Sequence, residues 1–409
     1  MNAASTDRSH VMAVMEELQA RFDEEAKTPP ETGVNPVEAA RVGAQIREAL
    51  EWMRTVEPAL AAEDETEDLE PGAEYVSNHP VVSVVQSAIA RGDTRALGLE
   101  SAGGGLLDTV GVVLGTLIRG KAKFPRHQDL QDFRFDLPEQ CRVALVADWG
   151  TGKPGAIRVM QRIAAERPHH LIHLGDIYHA GRTEEVRHNF IDILEREGPP
   201  ECRFWAMNGN HEMNSGGHAY FRDVLAFCGQ PASYFALGNR HWRLVALDSA
   251  YDEFRLHPPQ LDWAAHLLVE EGPKNILLTH HQVFSAVDGR PKRNNTDIHL
   301  GPLAEPGNVF AWFWGHEHRC LIYDRDPKRG GMRARCIGHG GKEERLPGFP
   351  RHKHPSPPVL EHWELADPAD PRRMMNGFAL LHFDGPVLEI SYIAENGDVW
   401  LGETWRADG

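Results

Sequence analysis

The chain has 409 residues, 41% hydrophobic and 25% charged, close to the average for globular proteins and unlike a disordered or membrane-embedded chain. That length accommodates one large catalytic domain with something smaller beside it. A net charge of −17 argues against a surface that wraps duplex nucleic acid by trading Lys and Arg for counterions, so no nucleic-acid partner is expected.

The acidity is uneven, with 25 Asp and Glu against 13 Lys and Arg in residues 1–140. The opening MNAASTDRSHVMAVMEELQ has no basic n-region followed by a long apolar run, so no secretory signal is read there. Val42, Ile46, Leu50 and Met53 fall on one face of an amphipathic helix that is expected to end near Pro58. An acidic run near 63–72, closed by Pro71 and Gly72, reads as a solvated linker, and Pro80 to Gly120 reads as helical again. Within it, Leu106–Ile118 is interrupted by Asp108, Thr109, Gly111 and Gly115 and falls short of the ~20 residues a span needs. It is read as a buried helix, with no stable membrane insertion. The basic residues Arg119, Lys121, Lys123 and Arg126 leave peripheral membrane association as a minor option. Residues 1–138 form a helical extension, expected to pack on the catalytic domain, shape its entrance or mediate oligomerisation.

From Arg142 the pattern changes to short apolar runs alternating with amphipathic helices, the mark of an α/β domain, assigned to 139–409. The runs are Val143–Ala147, Leu171–Leu174, Phe204–Met207, Trp242–Leu247, Ile276–Leu278 and Val309–Trp314. Helices are expected over Lys153–Arg167, Glu184–Glu195 and Pro259–Glu271. Three alternating tail segments, 377–385, 386–395 and 399–406, read as antiparallel strands with a hairpin turn at Asn396-Gly397-Asp398. Five cysteines, an odd number with no CxxC spacing, point to neither a disulfide framework nor a zinc ribbon. A reducing, cytoplasmic setting is expected.

Most of the apolar runs end in polar residues. In order these tips are Asp148-Trp149-Gly150, Gly175-Asp176-Ile177-Tyr178-His179, Gly209-Asn210-His211-Glu212, His280-His281 and Gly315-His316-Glu317-His318. Ligands in open α/β sheets bind beyond the carboxyl ends of strands, so these tips converge although the sequence scatters them. Carboxylate, amide and imidazole groups without thiolates suit Mn, Fe or Zn. A lone Gly-Asp or His-His is more often a turn or a surface pair; five such tips in this order form a specific pattern.

The set resembles the calcineurin-like metallophosphoesterases, whose blocks read Asp-X-His or Asp-X-Gly, Gly-Asp, Gly-Asn-His-(Asp/Glu), His and Gly-His-X-His. The resemblance covers about 145–320 for the motifs. It implies a two-sheet sandwich flanked by helices, and two divalent or mixed-valence metal ions at one edge. It implies that Asp148, Asp176 and His318 hold the first metal and Asp176, Asn210, His280 and His316 the second, with Asp176 bridging. Two cations ~3.5–4 Å apart can clamp the attacking and leaving oxygens of an in-line displacement and supply a hydroxide near neutral pH. His211 is expected to stabilise the phosphate or act as general acid, the alternative being that it merely orients Asn210. His281 falls in the substrate cleft or behind the ligands.

The first block departs from Asp-X-His, because its third residue is Gly150, as in the purple acid phosphatase branch. That branch places a tyrosine three residues after the bridging aspartate. Here His179 occupies that position and Tyr178 precedes it, so His179 is expected as a ligand of the first metal. His169, His170 and His173 read as edge or core residues, His352, His354 and His362 as loop residues, and His299 and His339 receive no role.

These observations point to a metal-dependent hydrolase of phosphate monoesters or diesters acting on a small phosphorylated substrate. The alternatives are a nucleotide pyrophosphate-bond hydrolase and a catalytically silent metal-binding scaffold. Substrate identity falls to loops such as Asp288–Pro302.

Overall fold

A computed structural model describes residues 7–27, 36–63, 75–91, 119–285, 303, 307–326, 330–345, 358–361 and 365–408. The acidic linker beyond Glu63, the apolar stretch 106–118, the loop 288–302, and His299, His352, His354 and His362 lie outside these residues.

Three helices come first: α1 (Arg8–Glu25), α2 (Pro36–Glu63) and α3 (Pro80–Ala90). Val11, Leu18 and Phe22 of α1 meet Val42, Ile46, Leu50 and Met53 of α2 around α3. Every residue from Val81 to Ile89 is buried, as befits a helix apolar on most of its circumference and placed at the centre of a cluster. Ala180 is the one buried member of that cluster, among the described residues, from beyond residue 90. α2 does not stop near Pro58 but runs on to Glu63. Proline removes a single backbone donor and its φ suits a helix, so the flanking turns carry the helix past it.

The rest of the chain builds two sheets face to face. The first runs β16 (Val399–Arg406), β15 (Val387–Ala394), β14 (Gly377–Asp384), β2 (Gln140–Val146), β3 (His170–His173), β4 (Arg203–Ala206). Within it β2, β3 and β4 are parallel, and the three tail strands add antiparallel to β2. The second runs β1 (Arg134–Asp136), β5 (Phe235–Gly238), β6 (Trp242–Leu247), β7 (Lys274–Thr279), β8 (Ala311–Trp314), β10 (Arg333–Ile337), β9 (Cys320–Tyr323), β11 (Pro358–Glu361). In this sheet β6, β7, β8 and β10 are parallel. A two-stranded ribbon, β12 (Ala366–Asp367) with β13 (Asp370–Met374), stands apart.

The alternation of side chains across each strand explains why these segments read as unbroken apolar runs. On β2, Val143 and Leu145 enter the core between the sheets, whereas Ala144 and Val146 face helix α4 (Pro154–Glu166) through Val159, Met160 and Ile163. On β6, Leu244 and Ala246 join the inter-sheet core, while Val245 and Leu247 meet Trp263 and Leu267 of helix α5 (Gln260–Leu268). The result is a two-sheet sandwich flanked by helices, and the carboxyl ends of the parallel strands supply the polar tips.

Candidate metal centre

Asp148 follows β2, Asp176 follows β3, Asn210 follows β4, His280 follows β7, and His316 and His318 follow β8. Backbone bonds lace these ends together. The amide of Asp148 donates to Gly175 at 3.0 Å, and that of Gly315 to His280 at 3.0 Å. Across the two sheets, the amide of His316 donates to Oδ2 of Asp148 at 2.8 Å. Four of these residues sit in the left-handed region, Asp148 (φ 55°), Asp176 (φ 77°), His316 (φ 69°) and His318 (φ 49°). For non-glycine residues such a conformation costs of the order of 1–2 kcal/mol and turns the chain sharply at the strand end. Gly175, itself at φ 108°, has no alternative, because a Cβ there would meet Nδ1 of His280 at 2.7 Å.

The side chains fall into two groups. Donor atoms of Asp148, Asp176 and His318 lie within 4.8 Å of one another, as do those of His280, His281 and His316. Oδ1 of Asn210 is 2.9 Å from Nε2 of His280 and 2.9 Å from Nδ1 of His316. Oδ1 of Asp176 is 3.3 Å from Nε2 of His280, so Asp176 belongs to the first group and touches the second. His211 is fully buried, with Nδ1 against the carbonyl of His179 at 2.5 Å and Nε2 3.8 Å from Oδ2 of Asp176.

The electrostatics favour cation binding. Burial, then the neighbouring Asp176, push the Asp148 carboxyl up to about 7. Against its own burial, Asp176 is held well below the usual carboxylate range by His280 and His211. Burial, together with neighbouring imidazoles, holds His281 and His316 well below the ordinary histidine value. Burial and Asp176 raise the Glu212 carboxyl to about 8. Nε2 of His211 and of His281 have no hydrogen-bond partner among the described residues despite complete burial. Asp176 raises His280 to about 9 against its burial, so this ring must give up its proton to ligate. Carboxylates, an amide oxygen and imidazoles that converge are the donor set that Mn, Fe or Zn requires, and thiolates are absent from both groups.

His179, expected in the first group, is not among its members. Its amide donates to Oε1 of Glu185 at 2.6 Å and its carbonyl meets His211. Tyr178 takes that place: its hydroxyl donates toward Oδ1 of Asp148 at 3.1 Å and is 2.9 Å from Nε2 of His318. The cause lies in the backbone. Gly150 pairs with Ile177 as a parallel bridge, with the Tyr178 amide donating to the Gly150 carbonyl at 2.9 Å. A Cβ on residue 150 would meet Cα of Ile177 at 2.8 Å, so the absence of a third-position histidine and the inward placement of Tyr178 are one arrangement.

Other side chains support these groups, and among them Glu344, Ser249 and Phe254 lie outside the motif blocks. Oε1 of Glu344 is 3.4 Å from Nδ1 of His318, and its carboxyl is lowered to about 2 by Lys342 and His318 against its burial. Oε2 of Glu212 accepts the amides of Gly209 at 2.9 Å and Asp176 at 3.3 Å, tying the second and third blocks together. Ser249 is 3.1 Å from Nδ1 of His281, and the Phe254 ring packs on His281 with centroids 4.2 Å apart. The Gly338–Gly341 loop lies on the centre, the Gly340 amide bonding the Ala147 carbonyl at 3.0 Å.

Comparison with known proteins agrees with this geometry. Residues 141–320 match the family model "Calcineurin-like phosphoesterase". A purple acid phosphatase from yellow lupin (Lupinus luteus) seeds superposes with a TM-score of 0.52 at 17% identity over 66% of this chain. This chain spans only 55% of the lupin protein's length. GAP50, described as the anchor in the inner membrane complex of Plasmodium, gives a TM-score of 0.50 at 16% identity, covering 65% of this chain and 89% of that one. At such identities both likenesses establish the fold alone. No curated protein matches the sequence. Residues 141–320 thus resemble the calcineurin-like phosphoesterases, and the strand-end blocks they carry are those of a metal-dependent phosphoesterase.

Proposed function

We propose that the chain hydrolyses phosphate monoesters or diesters at a dinuclear centre, with Asp148, Asp176, His318 and Tyr178 holding one cation and Asp176, Asn210, His280 and His316 the other. The observation that carries this reading is the shared position of Asp176, within 4.8 Å of the Asp148 and His318 donors and 3.3 Å from His280. Tyr178 replaces His179 as the expected ligand because its hydroxyl is the group that reaches Asp148 and His318. With Mn, Fe or Zn bound, such a pair polarises the phosphoryl oxygens and provides hydroxide near neutral pH.

The chain's own residues supply the remainder. The His179 carbonyl accepts the Nδ1–H of His211, and a second proton taken from solvent on Nε2 makes the imidazolium, which gives that proton to the leaving oxygen as its bond to phosphorus breaks and returns to the neutral ring. His281 and Phe254 wall the side nearest His316. Residues 1–138 are read as an extension packed on a catalytic domain spanning 139–409. The five cysteines are all unpaired, in keeping with a reducing, cytoplasmic setting. No helix of the described residues is long and apolar enough to cross a membrane.

Metal content and a substrate panel test the reading together. Two cations per chain and turnover of an aryl phosphate or a bis-aryl phosphate are expected. One cation overturns the dinuclear assignment. Preference for a nucleoside diphosphate conjugate moves the reading to pyrophosphate-bond hydrolysis, and two cations without any turnover leave a metal-binding scaffold.

A further inference from the structure

The helical unit α1–α3 is joined to the catalytic chemistry through one buried carboxylate. Glu185, at the start of the helical run after β3, is 4% exposed and accepts three backbone amides. Oε1 takes that of His179 at 2.6 Å, and Oε2 those of Ala180 at 3.1 Å and Arg182 at 3.0 Å. Three donors on one carboxylate fix the path of residues 179–182. That path presents the His179 carbonyl to Nδ1 of His211 at 2.5 Å.

The same loop is anchored outward. Ala180 is buried in the apolar cluster of α1–α3, and Arg182 Nη1 donates to Ser87 Oγ of α3 at 3.4 Å. α3 also packs against the short helix Asn210–Met213, which begins with Asn210 and His211. His211 is thus held from two sides by contacts that originate in the helical unit. An imidazole whose Nδ1–H is committed to a carbonyl has its other nitrogen fixed in direction, and such outer contacts decide how the proton that Nε2 takes up in the imidazolium meets its substrate.

We propose that Glu185 is a positioning residue for His211, and that the N-terminal helices serve catalysis by anchoring the loop Glu185 organises. This rests on His211 acting as the acid for the leaving oxygen. A side chain displaced by ~1 Å can lose up to about 100-fold in rate, and that loss falls on the step that needs the proton.

The experiment compares Glu185→Gln, His211→Ala and the double variant in the full metal-loaded chain, using an alkyl phosphate and nitrophenyl phosphate. Glu185→Gln is expected to lower kcat on the alkyl ester about 10- to 100-fold. On the nitrophenyl ester, whose leaving group needs little protonation, the loss stays within a few fold. KM and metal content are unchanged, and the double variant is no slower on the alkyl ester than His211→Ala. Equal losses on both esters, or multiplied losses in the double variant, overturn the proposal and leave Glu185 a structural residue. Should Glu185→Gln fail to fold, Glu185→Asp, which keeps the charge and shortens the reach, is expected to give the same split.

A second readout does not depend on turnover. With 15N-labelled histidines, the resonance lost in His211→Gln identifies His211, which in its neutral form is expected to carry its proton on Nδ1 and to become a tautomer mixture in Glu185→Gln. A neutral ring protonated on Nε2 alone in the unmodified chain, or an unaltered tautomer in the variant, overturns the positioning role. A His211→Ala chain without leaving-group dependence, alongside a tautomer that responds to Glu185, instead removes the acid role of His211 and keeps the structural link.

Discussion

The Tyr178 hydroxyl lies 2.9 Å from Nε2 of His318, inside the group that also holds Asp148 and Asp176. In the dinuclear centre proposed above, a phenol so placed would add an oxygen ligand to the first cation. Tyr178→Phe is therefore expected to weaken that cation at least about tenfold, within the 10- to 100-fold range typical of losing a group that supports a metal site. A ferric preparation of the unmodified chain should carry a phenolate-to-iron visible band that the variant lacks. His179→Ala should leave metal content near normal. Metal analysis and the visible spectrum decide between them, and loss of the first cation in His179→Ala would restore the imidazole in place of the phenol.

Asp176 and Asn210 make unequal demands on the two groups. Asp176→Asn should lower occupancy of both cations, whereas Asn210→Ala, which removes the oxygen 2.9 Å from His280 and His316, should chiefly lower the second. Metal stoichiometry during dialysis against a graded chelator separates the outcomes. Equal release of both cations from Asn210→Ala contradicts the division.

Phe254 combines a left-handed backbone, φ 64°, with a ring tilted at 50° against His281. Alanine ordinarily exceeds glycine in stability, but at this conformation the order should reverse. Phe254→Gly is expected to be more stable than Phe254→Ala by about 1 kcal/mol, because only glycine escapes the steric penalty. Both should raise KM for an aryl phosphate. Thermal denaturation of the two variants checks the order, and an alanine variant at least as stable as the glycine variant contradicts the strain.

His170 gives a pH dependence whose sign is fixed. Burial, then Arg203 and His169, lower its value to about 4, and its Nδ1 accepts the Trp205 indole N–H at 3.1 Å. The unfolded chain takes up a proton near 6.5 while the folded chain resists until about 4, so stability falls as pH drops through that window and then levels. After allowing for solvent screening, the contribution is of the order of 1–2 kcal/mol. His170→Asn, which keeps an acceptor near the indole, should flatten the decline between pH 7 and 4.5 in urea titrations. An unchanged slope removes His170 as its source.

The strand ends were legible because strands such as β3, β6 and β8 are buried on both faces, giving apolar runs such as Trp242–Leu247 that terminate at a polar residue. Helix α4 was legible from the spacing of Ala156, Val159, Met160 and Ile163. Which side chain of the second block enters the first group was not. Counting three residues from Asp176 selects His179, but the pairing of Gly150 with Ile177 is a long-range backbone contact, and it determines that Tyr178 faces inward. Glu344 and Glu185 were hidden for a related reason. Each supports a histidine far from it in sequence or through another residue's carbonyl, and a single sequence carries no record of such pairings.

The distribution of the centre over both sheets also bears on how the chain folds. Asp148, Asp176 and Asn210 leave one sheet, while His280, His316 and His318 leave the other, so the groups that meet are separated by up to 170 residues. Pairings that distant form late, since the loop-closure entropy precedes any contact that offsets it. Half a sandwich, from either sheet, holds an incomplete ligand set. Cation uptake during refolding should accordingly trail secondary structure and coincide with docking of the two sheets, making the metal centre a reporter of complete assembly.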